Sequence, residues 1–164
     1  MVEMKIFGLA VDEKAQSPVL ILKDESRDLA LPILIGPVEA MAISLALNAV
    51  ETPRPMTHDL LGRLVTGLGG HLAAVEVVAL REGTFYAEIV VQIAGETRRI
   101  DCRPSDAIAV AARARVPIFV AESVLSEAGT RSLEGAKAEF PDAERDKWTE
   151  ELENLSDDET KYKM

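Results

Sequence analysis

The first third of the chain alternates apolar and polar positions with the period of two that is typical of β-strands. Charged and turn-forming residues separate the apolar runs, which favours three consecutive strands joined by short links. The predicted strands cover residues 2–11, 19–22 and 29–35. Pro32 has no backbone donor, so its strand is expected to lie at a sheet edge or to carry a bulge. The pattern therefore predicts an antiparallel meander.

Two helices are predicted after these strands. From Gly36 onward the apolar positions recur at helical spacing, and the prolines within residues 52–55 end this helix because they cannot continue it. Thr57 is expected to be the N-cap of the second helix, which ends at Gly69 and Gly70. The apolar positions of the second helix lie on one face and comprise Leu60, Leu61, Leu64, Val65 and Leu68.

The second half of the chain repeats the order of strands followed by a helix. Strands are predicted at 72–82, 84–94 and 97–102, a helix at 104–115, a short strand at 117–121 and a helical turn at 123–128. Residues 107–112 contain no polar side chain, and a helix that is apolar all round is usually buried. The strand at 117–121 is expected at a sheet edge. The predicted fold class is α+β, with a mixed or antiparallel sheet of short strands packed with two to three helices, one of them buried.

Composition divides the chain into a domain and a tail. A length of 164 residues with 48% apolar side chains suits one domain, predicted to cover residues 1–130, and an acidic C-terminal tail at 131–164. Residues 134–164 carry 11 acidic and five basic side chains. Trp148, Leu152 and Leu155 recur at helical spacing in this tail, which predicts a short amphipathic helix.

Charge, apolar run lengths and cysteine content limit which binding partners and which cellular location the sequence predicts. The net charge of −10 argues against tight non-specific binding to DNA or RNA. No apolar run approaches the ~20 residues that span a bilayer, so no membrane contact is expected. The N-terminus lacks the layout of a signal peptide, and a single cysteine, Cys102, fits a cytoplasmic location. Edge strands and a high apolar fraction predict a homo-oligomer.

A polar cluster marks the start of the predicted buried helix. The cluster consists of Asp101 at the end of the strand that finishes near Cys102, and of Arg103, Ser105 and Asp106 just after it. Such a cluster is either a network that specifies the fold or a functional site. Arg103 in particular either pairs with the neighbouring aspartates or holds a phosphate through two parallel hydrogen bonds. The residues by themselves leave these alternatives open.

Three segments of the chain resemble the bifunctional nuclease (BFN) domain family. They read LPILIGPVEAMAI at 31–43, RPMTHDL at 54–60 and RPSDAIAV at 103–110, and their order and separation are also similar to the family. The linking segments EGTFYA at 82–87 and VPIFVAE at 116–122 add to the likeness. The resemblance covers about residues 1–130. It implies an α+β fold and a nuclease that acts on DNA and RNA.

Hydrolysis of a phosphodiester needs an activated water and stabilisation of charge on the phosphate, for which metal-dependent nucleases use carboxylates and sometimes histidine. Side chains of these types stand at helix starts and strand ends, namely Glu39, His58, Asp59, Asp101, Asp106 and Glu122. The predicted catalytic residues are Glu39, His58, Asp59 and Asp106. The predicted ligands of a divalent metal ion are Glu39, Asp59 and Asp106, with Mg²⁺ as the candidate because it prefers oxygen ligands. Arg103 and Ser105 are predicted to bind phosphate.

Each candidate also has a purely structural interpretation. Glu39 and Asp106 complement helix dipoles, and His58 is equally explained as a neutral, hydrogen-bonded imidazole. For the whole chain, the alternative function is a non-catalytic oligomeric module that binds a small anionic ligand or a partner protein. Convergence of Glu39, His58, Asp59, Arg103 and Asp106 on one cleft favours the enzyme, and dispersal argues against it.

Overall fold

The computed structural model describes residues 1–12, 16–24 and 26–130. These residues form a seven-stranded mixed sheet and four helices, which confirms the predicted α+β class. The strands are β1 (Val2–Asp12), β2 (Ser17–Asp24), β3 (Leu29–Leu34), β4 (Gly70–Arg81), β5 (Thr84–Ile93), β6 (Glu96–Cys102) and β7 (Ile118–Val120). The helices are α1 (Pro37–Leu47), α2 (Thr57–Gly67), α3 (Pro104–Ala114) and α4 (Glu122–Ala128). The tail at 131–164 and its predicted amphipathic helix lie outside the described residues.

Two antiparallel meanders, β1–β2–β3 and β4–β5–β6, make up most of the sheet. The short strand β7 joins them, because it pairs antiparallel with β1 on one side and parallel with β4 on the other. The strand order is therefore β3-β2-β1-β7-β4-β5-β6. The expectation that residues 117–121 form an edge strand is wrong. The apolar run around Ile118 and Val120 is buried in the centre of the sheet instead.

The edges of the sheet are β3 and β6. Pro32 lies on β3, which confirms the prediction made from its missing donor. A single bridge between Ala30 and Thr130 covers part of that edge. Along β6, every residue except Cys102 is exposed. The outer strand β6 thus lies beyond the part of the sheet that the helices cover.

The centre of the domain is α3, as its apolar sequence predicts. From Ala107 to Ala111 every residue is exposed by 1% or less, and the helix lies against α1, α2, β4 and β5. Pro104 is the first helical residue, and Arg115 ends the helix in the left-handed region with a φ of 56°. This packing brings the first turn of α3 close to α1 and α2.

The first two helices differ from the prediction at their ends. Helix α1 stops at Leu47, well before the prolines, because Ala49 adopts a left-handed φ of 51° and the Asn48 side chain donates to the Ser44 carbonyl. The N-cap of α2 is Met56 and not Thr57, and the Met56 amide donates to the Asp59 carboxylate at 2.9 Å. No helix in the part of the chain that the structure describes is long and apolar enough to cross a membrane.

The apolar face predicted for α2 exists, but it points largely to solvent. Leu60, Leu61, Leu64 and Leu68 are 50%, 39%, 52% and 73% exposed, and these four residues are called the leucine face below. Val65 alone of the predicted stripe packs, partly buried, against the core. Helix α2 contains no buried residue. It therefore lies on the domain surface.

Candidate active site

Arg103 bridges two carboxylates that come from different helices. Its Nε and Nη2 donate to Oδ2 and Oδ1 of Asp106 at 2.7 and 3.1 Å, and its Nη1 donates to Oε1 of Glu39 at 2.8 Å. Glu39 and Asp106 stand in the first turns of α1 and α3, where the helix dipoles favour negative charge. The Arg103 side chain is 65% exposed, whereas the Glu39 and Asp106 side chains are 20% and 29% exposed. These three residues are called the Arg103 network below.

His58 on α2 extends this network. Its Nε2 lies 3.5 Å from Oδ1 of Asp106, which is the outer limit of a hydrogen bond, and its side chain is only 14% exposed. When Nε2 carries the proton and donates to Asp106, Nδ1 is left as an acceptor. A neutral imidazole oriented by a carboxylate in this way is the usual arrangement of a general base.

Both carboxylate oxygens of Asp59 are engaged by neighbouring donors. Oδ2 accepts from the Met56 amide at 2.9 Å, and Oδ1 accepts from Nη1 of Arg113 at 2.8 Å. Arg113 also donates through Nη2 to the Ala42 carbonyl at 3.3 Å. The Arg113 side chain is only 12% exposed, and its buried Nε has no hydrogen-bond partner among the described residues. Asp59 and Arg113 therefore connect α1, α2 and α3.

The surroundings of these groups set their charge. Partial burial would raise the pKa of Asp106, but the hydrogen bonds and charge of Arg103, together with His58, outweigh burial and hold that pKa below its ordinary value. The pKa of Asp59 is also lowered, because the Met56 amide and Arg113 outweigh the effect of burial. Burial, with Asp106 and Asp101 nearby, raises the pKa of the Cys102 thiol to about 11. Both aspartates are thus ionised at neutral pH, and Cys102 is a neutral thiol and not a nucleophile.

A partly open cavity of about 970 Å³ lies beside His58, between α2, α3 and β4, and is called the α2 cavity below. Its ionisable lining includes His58, Asp59, Arg63, His71 and Arg113. Lining residues of α2 recur every four positions, as in His58, Gly62 and Thr66, whereas none of the leucine face lines the cavity. The helix thus separates a cavity of mixed polar and apolar lining from an exposed apolar face. The Arg63 side chain makes no hydrogen bond or ion pair with any residue that the structure describes, although its charge helps to lower the pKa of Asp59.

The structure groups some of the predicted site residues and separates others. Glu39, Arg103, Asp106 and His58 form one connected set of contacts, and Asp59 follows His58 on α2. The remaining three residues lie outside this set. Ser105 is buried at 7% exposure and does not line the α2 cavity, Asp101 is exposed on β6, and Glu122 pairs with Arg27 at 3.0 Å.

The three residues predicted as metal ligands are not arranged as a ligand cluster. Glu39 and Asp106 share the Arg103 guanidinium, whereas Asp59 is occupied by Arg113 and the Met56 amide. Within residues 1–12, 16–24 and 26–130, no three His, Cys, Asp or Glu side chains stand close enough together to hold a metal ion. In this arrangement the residues do not fit a site with three protein ligands.

Arg63, His71 and Arg113 line the α2 cavity but are not among the site residues predicted from the sequence. Helical spacing offers a signal for two of them. Arg63 follows Asp59 by four residues on α2, and Arg113 follows Asp106 by seven on α3, so each pair shares a helix face. His71 comes from β4, and no spacing along the chain links it to the others.

Comparison with known proteins identifies relatives of most of the chain. A model of the bifunctional nuclease domain family matches residues 20–132. The uncharacterized protein Rv1829 of Mycobacterium tuberculosis (strain ATCC 25618 / H37Rv) is 41% identical over 165 residues, which cover 98% of this chain and 99% of that protein. Bifunctional nuclease 2 of Oryza sativa subsp. japonica is 28% identical over 79% of this chain and 41% of its own length. Bifunctional nuclease 1 of Arabidopsis thaliana is 27% identical over 82% of this chain and 42% of its own length.

Proposed function

Because the chain belongs to the bifunctional nuclease domain family, we propose that it hydrolyses phosphodiester bonds of DNA and RNA. The observation that carries the proposal is the contact between His58, which lines the α2 cavity, and Asp106, which lies outside the lining 3.5 Å away. A histidine beside an ionised carboxylate, with guanidinium groups close by, supplies the groups that water activation and phosphate binding need.

His58 is assigned as the general base. A water oxygen attacks the phosphorus atom while His58 takes a proton from that water, and the bond from phosphorus to the leaving sugar oxygen breaks. The proton then passes from His58 to the leaving oxygen, which restores the neutral imidazole. Asp106 orients the ring and stabilises the imidazolium that forms between the two transfers.

Arg63 and Arg103 are assigned to the phosphate. Arg63 has its full set of donors available, since no described residue accepts from it. Arg103 uses three of its five N–H groups on Glu39 and Asp106, which leaves two for a phosphate oxygen. Glu39 is therefore assigned to orienting Arg103. The assignment of Ser105 to phosphate stays a prediction, because its side chain is buried.

A divalent metal ion, with Mg²⁺ as the candidate, also stays a prediction. The three predicted ligands do not form a cluster, so an ion at this site would take most of its ligands from water and from substrate phosphate, as Mg²⁺ commonly does. The mechanism above assigns no step to a metal. Catalytic or ligand roles for Asp59 likewise stay predictions, since both of its oxygens are already hydrogen-bonded.

The test is cleavage of labelled single-stranded DNA and RNA by the purified chain and by three variants prepared in the same way. His58→Gln and Asp106→Asn are expected to lower the rate by at least ~100-fold, the usual contribution of a general base. Asp101→Asn makes the same chemical change at an exposed position on β6 and is expected to keep full activity. Equal cleavage by all four preparations would show a contaminating nuclease and overturn the proposal.

A second candidate function is a non-catalytic module that binds a small anionic ligand or a partner protein. The observation that favours it is the α2 cavity, whose volume of about 970 Å³ is within the range of ~300–1,000 Å³ found for ligand pockets. On this proposal the wild type and His58→Gln both bind a phosphate-bearing ligand, and neither cleaves a nucleic acid.

We also propose that the chain is a homo-oligomer whose copies meet through the leucine face. These four leucines make an apolar patch on the order of 400 Å², within the range of the largest patch on a typical soluble monomer, which is often functional. Leu60, Leu64 and Leu68 form one stripe along α2, so two copies related by a two-fold axis bury the same stripe against each other. The patch supplies about half of the ~800 Å² per partner of a standard interface, and the flanking surface of α2 supplies the rest.

The oligomer is tested by light scattering at micromolar concentration. The wild type is expected to give at least the mass of a dimer, and Leu64→Glu is expected to give a monomer because it buries a charge in the contact. Leu34→Glu is the matched control, since Leu34 is 59% exposed but lies on β3. A monomeric wild type would contradict the proposal.

A cytoplasmic location is proposed on the basis of the single cysteine. Cys102 has no second cysteine in this sequence to pair with, which fits a reducing compartment. Fractionation of cells that express the full chain tests the proposal. Recovery of the protein outside the cytoplasmic fraction would count against it.

A further inference from the structure

We propose that the α2 cavity receives one unpaired nucleotide, which makes single-stranded DNA or RNA the substrate class. The inference deepens the proposed nuclease function and depends on it for the reaction, although binding is measured separately. His58 lines the cavity and also contacts Asp106. A nucleotide inside the cavity therefore has its phosphate beside the proposed general base.

The cavity is large enough for a single nucleotide. Its volume of about 970 Å³ is at the upper end of the range of ~300–1,000 Å³ for small-molecule pockets, enough for a base with its sugar and phosphate. A base inside a duplex is stacked and paired, so it must leave the helix before it enters a cavity of this kind. An unpaired strand avoids most of the free energy needed to unpair and unstack the base.

The lining supplies both an apolar surface and groups that stack on bases. Leu72, Val110 and Val116 line the cavity with apolar side chains. His71 and Arg63 add an imidazole and a guanidinium, which are among the flat groups on which proteins stack unpaired bases. This mixture of an apolar wall with a few polar groups is typical of a site that encloses a ligand.

The charges around the cavity argue against contacts between the protein and many successive phosphates of a strand. Arg63 and Arg113 are opposed by Glu51 and Asp59 in the lining, and Arg113 is already paired with Asp59. The whole chain carries a net charge of −10, which repels a polyanion beyond the site. Affinity must therefore come mainly from enclosing one base. With Arg63 and Arg103 as the phosphate contacts, the logarithm of affinity should fall with the logarithm of salt at a slope of about −0.7 per contacted phosphate.

Gly62 provides a matched pair of variants to test the cavity. It lies on α2 and lines the cavity, and a Cβ atom added there has Leu72 Cδ1 at 4.0 Å as its nearest neighbour. Gly62→Ala therefore fits without displacement and leaves the cavity open, whereas Gly62→Phe places a ring inside it. Gly67→Leu is a second blocking variant, because a Cβ atom at Gly67 meets nothing within 4 Å.

The experiment measures binding by fluorescence anisotropy on the full chain. The probes are a short labelled oligothymidylate with phosphorothioate linkages, the same strand annealed to its complement, and the corresponding single-stranded RNA. The wild type and Gly62→Ala are expected to bind both single strands at least ~10-fold more tightly than the duplex, because the duplex must release a base. Gly62→Phe and Gly67→Leu are expected to lose that binding by a similar factor. Circular dichroism identifies a blocking variant that fails to fold, and the other variant then decides the result.

The outcomes separate this inference from the proposed reaction. Tight binding of duplex and single strand alike, or unchanged binding by a folded Gly62→Phe, overturns the cavity proposal while cleavage by the wild type still stands. Selective binding of single strands without any cleavage supports the cavity proposal and removes the nuclease assignment. The logarithm of affinity should fall with the logarithm of salt no more steeply than two phosphate contacts predict. A slope several times steeper would also overturn the inference.

Discussion

Replacing Arg113 by methionine tests whether the pair of Arg113 and Asp59 is a structural support beneath the site. Arg113 donates to Asp59 at 2.8 Å and to the Ala42 carbonyl at 3.3 Å, and its side chain is 12% exposed. Methionine keeps an unbranched, flexible stem of similar length, so the variant removes the two hydrogen bonds and the charge with little loss of packing.

The expected loss follows from the contacts. A hydrogen bond to a charged group contributes about 1.5–3 kcal/mol to stability, and one to a neutral carbonyl contributes about 1 kcal/mol. The buried Nε of Arg113 has no partner within the described residues, and removing an unsatisfied donor returns about 1 kcal/mol. The free energy of unfolding of Arg113→Met should therefore fall by about 2 kcal/mol. For a domain of this size that corresponds to a decrease of about 8 °C in Tm.

Thermal and urea denaturation of four proteins measure the effect, namely the wild type, Arg113→Met, Asp59→Asn and the double variant. Because each single change breaks the same contact, the double variant should lose less stability than the two single variants combined, with a coupling energy of about 1–2 kcal/mol. Arg115→Met is the control, since Arg115 is exposed at the end of α3 and should leave Tm unchanged. Additive single effects, or a loss below about 0.5 kcal/mol in Arg113→Met, would refute the structural role.

Three further predictions concern single groups of the site. The pKa of Asp106 in the folded protein lies below its ordinary value of 3.8, so its ionised form stabilises the fold above that pH and the contribution is lost as pH falls through the lowered pKa. Thermal melts should therefore show the wild type more stable than Asp106→Asn at neutral pH, with a smaller difference in acid. A stability difference that does not change with pH would contradict the ion pairs of Asp106. Gly62→Ala should raise the free energy of unfolding by about 1 kcal/mol, because alanine is the better helix former and the added Cβ atom lies 4.0 Å from Leu72 Cδ1. An unchanged or lower urea midpoint would argue against the helical environment described for Gly62. Cleavage in the presence of a chelator, with and without added Mg²⁺, tests the predicted divalent ion. Loss of cleavage that Mg²⁺ restores would support the ion, and cleavage that survives exhaustive chelation would show that prediction to be wrong.

Much of the fold follows from periodicity along the chain. The strands of both meanders and the helix at Pro104 are local patterns, and each element can be predicted because its period and its capping residues lie within a few positions of one another. The burial of α3 can also be predicted from its local sequence, since a helix whose residues 107–112 are all apolar is usually buried. Pro32 predicts an edge for the same kind of reason.

Part of the site follows from the same local rules. Glu39, His58 and Asp106 stand in the first turns of three helices, where side chains from separate elements can meet. The contacts through Arg103 and Asp106 bring these three residues together, although only His58 among them lines the α2 cavity. Their order along the chain does not indicate that Asp59 turns toward Arg113, because that depends on how α2 is rotated against α3.

Long-range packing sets the remaining features. The strand β7 looks like an edge strand because it is short, yet it lies between β1 and β4, a position that depends on how the two meanders approach each other. The leucine face of α2 has the pattern of a core-facing stripe but points to solvent, because Gly62 and Thr66 on the opposite side line the α2 cavity. Hydrophobic periodicity identifies which residues share a face. It carries no information about what lies against that face, since burial is a property of contacts between residues far apart in the chain.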